Sequence, residues 1–393
     1  MNKEKALSFR RCPWLMSLVI LALALYMYPS PIDPKPFKFP SPIPELIGPL
    51  KVNQLLQRAK RAFEGSIVGP ESFTIDGNGT VYTGTADGKV VAIRNGQLTL
   101  VARMGMEHPL CGSFDYEPLC GRPKGMKVGP DGHLYLVDSY KGLFRINLHN
   151  RTLETLIPSN IGVNDIPFKF LNGLDISGQG IIYFTDSSLT WDRRNFRYEV
   201  LETHNEGRLL QYNISSGQSK CLLSDLYLAN GVALTLEEHV LLISEMSVSR
   251  IRRYFLIGEK AGTSDVLIDN LPGYPDNIKL NSRGNFYIGM GSVRFQGSSP
   301  IGPFLDLVGP YPTLKRALAK ITPFVIYNLF LPKHALVIEI SKSGDLVGSM
   351  HDPGAKVIGA VSEAFETNDT IYIGHYQSPY VGILEKSSIS NTI

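Results

Sequence analysis

Four polar residues of this chain are placed so that they could share one ion. Glu71, Asn172, Asn230 and Asp276 each stand just ahead of an apolar, strand-like run. Their segments read GPESFTIDGNGTVYTG, FLNGLDISGQGIIYFTDSS, LANGVALTLEEHVLLISE and PGYPDNIKLNSRGNFYIG. Two carboxylates and two amide oxygens, with Asn277 beside them, form a hard, all-oxygen set with two negative charges. Such a set suits Ca2+, which takes about six to eight oxygens, and not zinc, which prefers nitrogen and sulfur. A carboxylate in that set, Asp276, can also position or deprotonate a water molecule. The competing reading is that Asn-Gly and Asp-Asn are only turn formers.

Whether the four residues meet depends on the elements that carry them. Glu71 precedes Tyr82 by eleven positions; the same interval separates Lys124 from Tyr135, Asn172 from Tyr183, Asp276 from Tyr287 and Val361 from Tyr372. Asn230 heads a matching segment without the tyrosine. The units start at 71, 124, 172, 230, 276 and 361, a spacing of roughly 50 with one long gap. Six units of short strands at this period predict an all-β fold, a six-bladed β-propeller over residues 61–393. A β-sandwich would not explain a constant internal offset. Inner strands of a propeller line its axis, so residues at their starts converge at one end. Asp138, Asp186 and His375 lie fourteen residues into their units, with Glu245 at the matching place of the fourth, and are expected to ring the channel mouth. The long gap holds an insertion, 292–334, in which Leu314, Leu318, Ile321 and Val325 share one helical face. It reads as a face packed on the scaffold, with a lid or a membrane-contacting element as alternatives.

Composition sets the wider frame. Of 393 residues, 43% are hydrophobic, enough for a large core, and the net charge of +3 is scattered without an aromatic-basic patch. That excludes a nucleic-acid partner. Lys3, Lys5, Arg10 and Arg11 precede 21 uncharged residues, Cys12 to Ile32, about the length that crosses a bilayer as a helix. The charge bias predicts a cytosolic tail, 1–11, a signal anchor, 12–32, and an extracellular or lumenal remainder: a single-pass type II protein. A cleaved signal peptide is the alternative. Residues 33–60 form a stalk and lead-in; seven prolines within 29–44 predict a stiff, extended spacer holding the propeller away from the membrane. In an oxidising compartment CGSFDYEPLC reads as a local disulfide, Cys111–Cys120, with Cys221 reduced and buried. Sequons at Asn78, Asn150, Asn213 and Asn368 all fall beside expected turns.

The motifs CGRPKG, YKGLFRIN, YFTDSSLTWDRR, SRIRRYF, GYPDNI and HDP, in that order, resemble the strictosidine synthase-like propellers, whose wider relatives are the paraoxonases and calcium-dependent propeller lactonases. The resemblance implies calcium ligands at Glu71, Asn172, Asn230, Asp276 and Asn277. It also exposes two departures. Where paraoxonases place a histidine pair, this chain has Asp138 and Ser139, and TLIPSNIGVNDIPF supplies no second histidine. Where strictosidine synthase places its glutamate, Ser362 falls, and Glu363 is one position off, turned to the other face of a strand.

These observations leave a calcium-dependent, arylesterase-type hydrolase of a small ester or hydrophobic ligand slightly ahead of a ligand- or partner-binding propeller with structural calcium. Amine–aldehyde condensation comes third. No GxSxG elbow is present, which argues against covalent esterase chemistry. The topology is directly testable: glycosidase should shift the band of protein from intact microsomes, and residues 60–393 should resist protease added outside sealed vesicles. Digestion of that region would reverse the orientation.

Overall fold

The structure, a computed structural model, describes residues 26–295, 297–298, 303–321 and 332–389, together with Met16, Ser17, Ile20 and Leu23. Six four-stranded antiparallel sheets succeed one another along the chain. Blade one runs from β2 (Phe73–Ile75) to β5 (Gln97–Arg103), blade two from β6 (Pro123–Val128) to β9 (Leu153–Pro158), and blade three from β10 (Leu171–Ile176) to β13 (Ser219–Leu226). Blade four spans β14 (Ala229–Leu234) to β17 (Ser264–Ile268), and blade five β18 (Gly273–Leu280) to β21 (Leu346–Pro353). In blade six, β22 (Glu363–Glu366), β23 (Thr370–Gly374) and β24 (Val381–Glu385) are completed by β1 (Lys60–Ala62). A strand from the front of the domain therefore closes the ring.

The recurring tyrosine packs between blades. Tyr82 sits in one apolar cluster with Met126, Leu134 and Phe144 of blade two, Tyr135 with Leu174 and Phe184 of blade three, and Tyr183 with Val232 and Leu241 of blade four. Where its ring end reaches the turn it donates to an aspartate, Tyr82 to Asp76 at 2.9 Å and Tyr135 to Asp131 at 2.7 Å. An apolar body with one satisfied hydroxyl suits this buried position.

The recurring Asn-Gly is not a turn. Asn172 and Asn230 are strand residues outside the left-handed region. In blades two to five the inner pairing slips by one residue across Pro123/Met126, Leu171/Leu174, Ala229/Val232 and Pro275/Ile278. Each slip is a β-bulge, which re-aims a side chain without ending the strand. The bulges bracket Lys124, Asn172, Asn230 and Asp276. Glycine follows three of these because adjacent inner strands nearly touch: a Cβ on Gly125 would lie 2.4 Å from the amide nitrogen of Leu174, and one on Gly173 2.5 Å from the carbonyl oxygen of Asn230.

Blade six departs from the eleven-residue rule by one place. Thr74 pairs with Tyr82, Lys127 with Tyr135, Asp175 with Tyr183 and Lys279 with Tyr287, each eight residues apart, whereas Phe365 pairs with Tyr372, seven apart. Counting back three from each partner returns Glu71, Lys124, Asn172 and Asp276, but Ser362 and not Val361 in blade six. The shorter hairpin is the reason.

Several expectations outside the blades change. Ten of the 21 residues of the apolar segment 12–32 lie outside the described residues, and among the described residues no helix is long and apolar enough to cross a membrane. The proline-rich segment is not a free spacer; it is docked on the propeller. Lys35 N donates to Glu202 O at 2.9 Å, Phe37 N to Gly309 O at 3.0 Å, and Ile32 is buried with Leu201 and Ala319. The prolines leave few amide donors to satisfy; beside Lys35 and Phe37, Asp33 N donates to the Glu202 carboxylate at 2.7 Å. Within the insertion, a helix over Pro312–Ile321 buries Lys315 and Ala319, while Leu314 is 44% exposed. Of the expected apolar face, Leu314 is exposed and Leu318 half-buried, and the Ile321 side chain lies outside the described residues. Lys315 turns inward because its ammonium caps Lys35 O and Thr203 Oγ1, at 2.9 and 3.0 Å. Val325 lies outside the described residues. Cys111 and Cys120 are joined; Cys221 is free but half-buried in β13. Asn78, Asn150 and Asn368 are exposed and Asn213 half-buried.

The close approach of the blades yields a test. Gly173→Ala should cost about 2 kcal/mol, because the backbone carbonyl it meets cannot swing away as a side chain would. Gly77→Ala, with no heavy atom within 4 Å of its Cβ, should stay within about 0.5 kcal/mol of the parent. Chemical denaturation of both variants reads the difference.

Candidate functional site at the propeller axis

Glu71, Lys124, Asn172, Asn230 and Asp276 line one cavity of about 30 Å3 at the axis, with Phe170, Arg193, Phe196, Leu228, Met246 and Tyr376 around it. Ser362, fully buried, adds the sixth blade's residue next to Asp276. The register thus brings together four of the five expected ligands. It also brings two residues that the ligand set omitted. Lys124 holds the shared register in unit two, so the repeat already pointed to it; Ser362 was hidden by the one-residue shift.

Lys124 changes the electrostatics. Its ammonium is paired with Glu71 Oε1, and the buried Arg122 guanidinium donates to Glu71 Oε2 at 3.0 Å. Burial alone would raise the Glu71 pKa, but Lys124 and Arg122 hold it well below the usual carboxylate range. Asp276 behaves in the opposite way. Burial and the charge of Glu71 push it up to about 7, against the opposing pull of Lys124, Ser362 and Asn230.

The two amides are aimed by their nitrogens. Asn172 Nδ2 donates to Ser187 Oγ at 3.1 Å, and Asn230 Nδ2 to Met246 Sδ at 3.4 Å. The oxygens Asn172 Oδ1, Asn230 Oδ1 and Asp276 Oδ1 are buried and have no hydrogen-bond partner. Three orphaned buried acceptors around one small cavity are costly unless a donor or cation meets them. The donor set therefore fits a hard cation, with Asn172, Asn230 and Asp276 as its open ligands and Glu71 already neutralised from within. Among the described residues no three His, Cys, Asp or Glu side chains converge; amides supply the remaining oxygens here.

The other expected residues lie elsewhere. Asn277 points away from the cavity, its Nδ2 donating to Glu71 O at 3.4 Å. Asp138, Asp186 and Glu245 do not ring the mouth. Each is buried at the end of a second strand and accepts from the backbone leading into the inner strand: Arg122 N at 2.6 Å, Phe170 N at 2.8 Å and Tyr227 N at 3.0 Å. Arg208 pairs with Asp186 and Arg250 with Glu245. These carboxylates brace the lead-in turns, a task that needs a buried acceptor at that offset and explains their periodicity. Burial raises Asp138 to about 6 despite its backbone donors. His375 is half-buried against the Tyr376 ring, 4.3 Å between centroids, and its Nδ1 accepts from Gln377 N. Burial and the neighbouring cations lower its pKa to about 4. Glu363, as its register implied, faces away, accepting from Phe73 N at 2.6 Å and Ser72 Oγ at 2.8 Å.

The mouth is roofed by the segment after β11 (Ile181–Asp186), which carries Arg193 and a helix over Phe196–Glu202. Arg193 is held by Glu117 at 2.5 Å and lies over the Tyr376 ring, 5.3 Å from its centroid. Glu117 also accepts from Tyr140 Oη at 2.7 Å. It belongs to the short loop that the Cys111–Cys120 bond closes, so the disulfide indirectly positions the roof. Nothing in the repeat pattern announces Arg193.

The strictosidine synthase family profile matches residues 172–259, and a strictosidine synthase-like N-terminal profile matches residues 48–93. Adipocyte plasma membrane-associated protein of Bos taurus is 39% identical over 94% of this chain and 90% of its own length; that of Rattus norvegicus is 39% identical over 96% and 100%. The Arabidopsis thaliana protein strictosidine synthase-like 3 is 31% identical over 84% of this chain and 86% of its own. Among solved structures, a gluconolactonase from Xanthomonas campestris superposes with a TM-score of 0.57 at 13% identity, covering 91% of this chain and 99% of that one. A calcium-binding regucalcin from Agrobacterium tumefaciens gives 0.53 at 13%, covering 82% and 92%. These two likenesses concern the fold.

The paired carboxylates make stability depend on pH. In chelator the unfolded chain ionises Asp276 near 3.8, the folded chain only near 7. The native state binds the extra proton across that window, so stability is highest below it and falls as pH rises through it. Between pH 4 and 8 the parent should lose thermal stability relative to Asp276→Asn, since only the parent carries the shifted carboxyl. An equal slope in parent and variant would remove Asp276 from this role.

Proposed function

Because the chain belongs to the family of the adipocyte plasma membrane-associated proteins, within the strictosidine synthase-like propellers, we propose that its axial site binds Ca2+ and hydrolyses small activated esters weakly, as a membrane-associated enzyme. The observation that carries this reading is the trio of buried, unpartnered oxygens on Asn172, Asn230 and Asp276. Bound Ca2+ would supply a Lewis acid for an ester carbonyl and its developing oxyanion. The protein's own groups do the rest. Asn172 and Asn230 hold their oxygens inward through Ser187 and Met246. Asp276 orients or deprotonates a water. Phe170, Phe196, Leu228 and Tyr376 keep bulk solvent from the axis.

One observation favours a second reading, a binding propeller in which the ion is structural. A cavity of about 30 Å3 admits an ion and a water but no ester, so turnover requires displacement of the Arg193–Phe196 roof. Condensation chemistry has no support at this axis: Ser362 brings a hydroxyl where a carboxylate would be needed, and Glu363 is engaged elsewhere.

An aryl-ester assay on purified protein separates the first two readings. Activity should appear with millimolar Ca2+, vanish in chelator, and fall at least about a hundredfold in Asp276→Asn, the usual scale for a lost general base. Activity that survives both treatments removes the hydrolase reading. Absent activity with a Ca2+-dependent rise in melting temperature leaves the structural ion.

A further inference from the structure

The axis contains a cation of its own. Lys124 reaches Glu71 Oε1 from the adjacent blade and Arg122 takes Oε2, so both oxygens of the most strongly ionised axial carboxylate are already paired. Lys124 lines the same cavity as the three unpartnered oxygens, and its Nζ lies 5.8 Å from the centre of the Phe170 ring, which walls that cavity. The ammonium and a divalent ion would therefore be close neighbours competing for Glu71.

We infer that Lys124 is a built-in counter-cation that keeps the ion-free propeller stable and sets a low affinity for the divalent ion at this site. The inference rests on the calcium reading above. It goes further by assigning a determinant of affinity to a residue outside the ligand set. Two states follow. In the ion-free state Lys124 neutralises Glu71, and the ring of blades needs no metal to fold. When an ion binds, it either displaces the ammonium from Glu71 or settles on Asn172, Asn230 and Asp276 under its repulsion. Both routes weaken binding, because a cavity of about 30 Å3 is too small to separate the two charges. Arg122 does not compete in the same way. Its guanidinium is also fixed to Gly69 O and Tyr376 O, and it is not among the residues lining the cavity.

Replacing the ammonium by a neutral group of similar length tests this. In full-length protein in detergent, isothermal titration should show Lys124→Met binding Ca2+ about ten- to a hundredfold more tightly than the parent, the range over which residues beside a metal site tune affinity. Scanning fluorimetry should show the variant melting below the parent in chelator and gaining more from Ca2+. Lys124→Gln, which keeps a hydrogen-bonding end, repeats the test should the methionine variant fail to fold without ion. Equal Ca2+ affinity in parent and variants would overturn the role of Lys124 and leave the calcium reading intact. No Ca2+ response in any of them would overturn both.

Discussion

The buried contact of Glu71 with Arg122 and Lys124 is the constraint on which the axial end of this propeller depends. Glu71 enters from blade one, the two cations from blade two, and Arg122 continues to Tyr376 O in the turn between β23 and β24 of blade six. Through Arg122, one carboxylate therefore links the first, second and last blades at the axis. Removing one partner of such a buried pair costs about 3–5 kcal/mol, since the other charge is left stranded. The same contact neutralises Glu71, confines the unbalanced charge to Asp276, and leaves the amide oxygens of Asn172 and Asn230 as the neutral part of the site.

Around that centre the fold works by repetition with exceptions. Four bulges aim four side chains at the axis, three glycines let the strands carrying them come together, and three carboxylates brace the turns that lead in. The exceptions are where chemistry can differ between blades. Blade six brings a hydroxyl and blade two an amine, while the segment after β11 replaces a plain turn with a roof.

Period and offset made the fold legible in the sequence, since five of the six units carry a tyrosine packed between blades and each places one polar residue at the axis. Glu71, Asn172, Asn230 and Asp276 were legible for that reason. Asp138, Asp186 and Glu245 were found at the right offset and given the wrong task, because periodicity shows that a position is constrained and not which way its side chain faces. Ser362 was missed because a hairpin one residue shorter moves the register, and a spacing rule cannot sense hairpin length. Lys124 stood in the pattern, yet a search for oxygen ligands passes over an amine. The Arg193 roof was illegible because it depends on Glu117, 76 residues away, and on a disulfide loop that only the folded chain brings near. The docking of the proline-rich segment was not legible, because proline content predicts an extended backbone and says nothing of what it lies against.

The entry of the chain into the ring has a mechanical consequence. The strand that closes the propeller, β1, is only three residues long and pairs through Lys60, Arg61 and Ala62 with β24. A tension applied at the amino terminus would otherwise arrive directly at this short seam. It meets the docked segment first, where Asp33 is bound to Arg316, Lys35 to Glu202 and Phe37 to Gly309, and Ser41 and Pro42 receive the amide of Asn270. Any pull on the chain ahead of Asp33 would thus be met by these contacts before it reached the seam of the ring, much as a cable clamp shields a soldered joint.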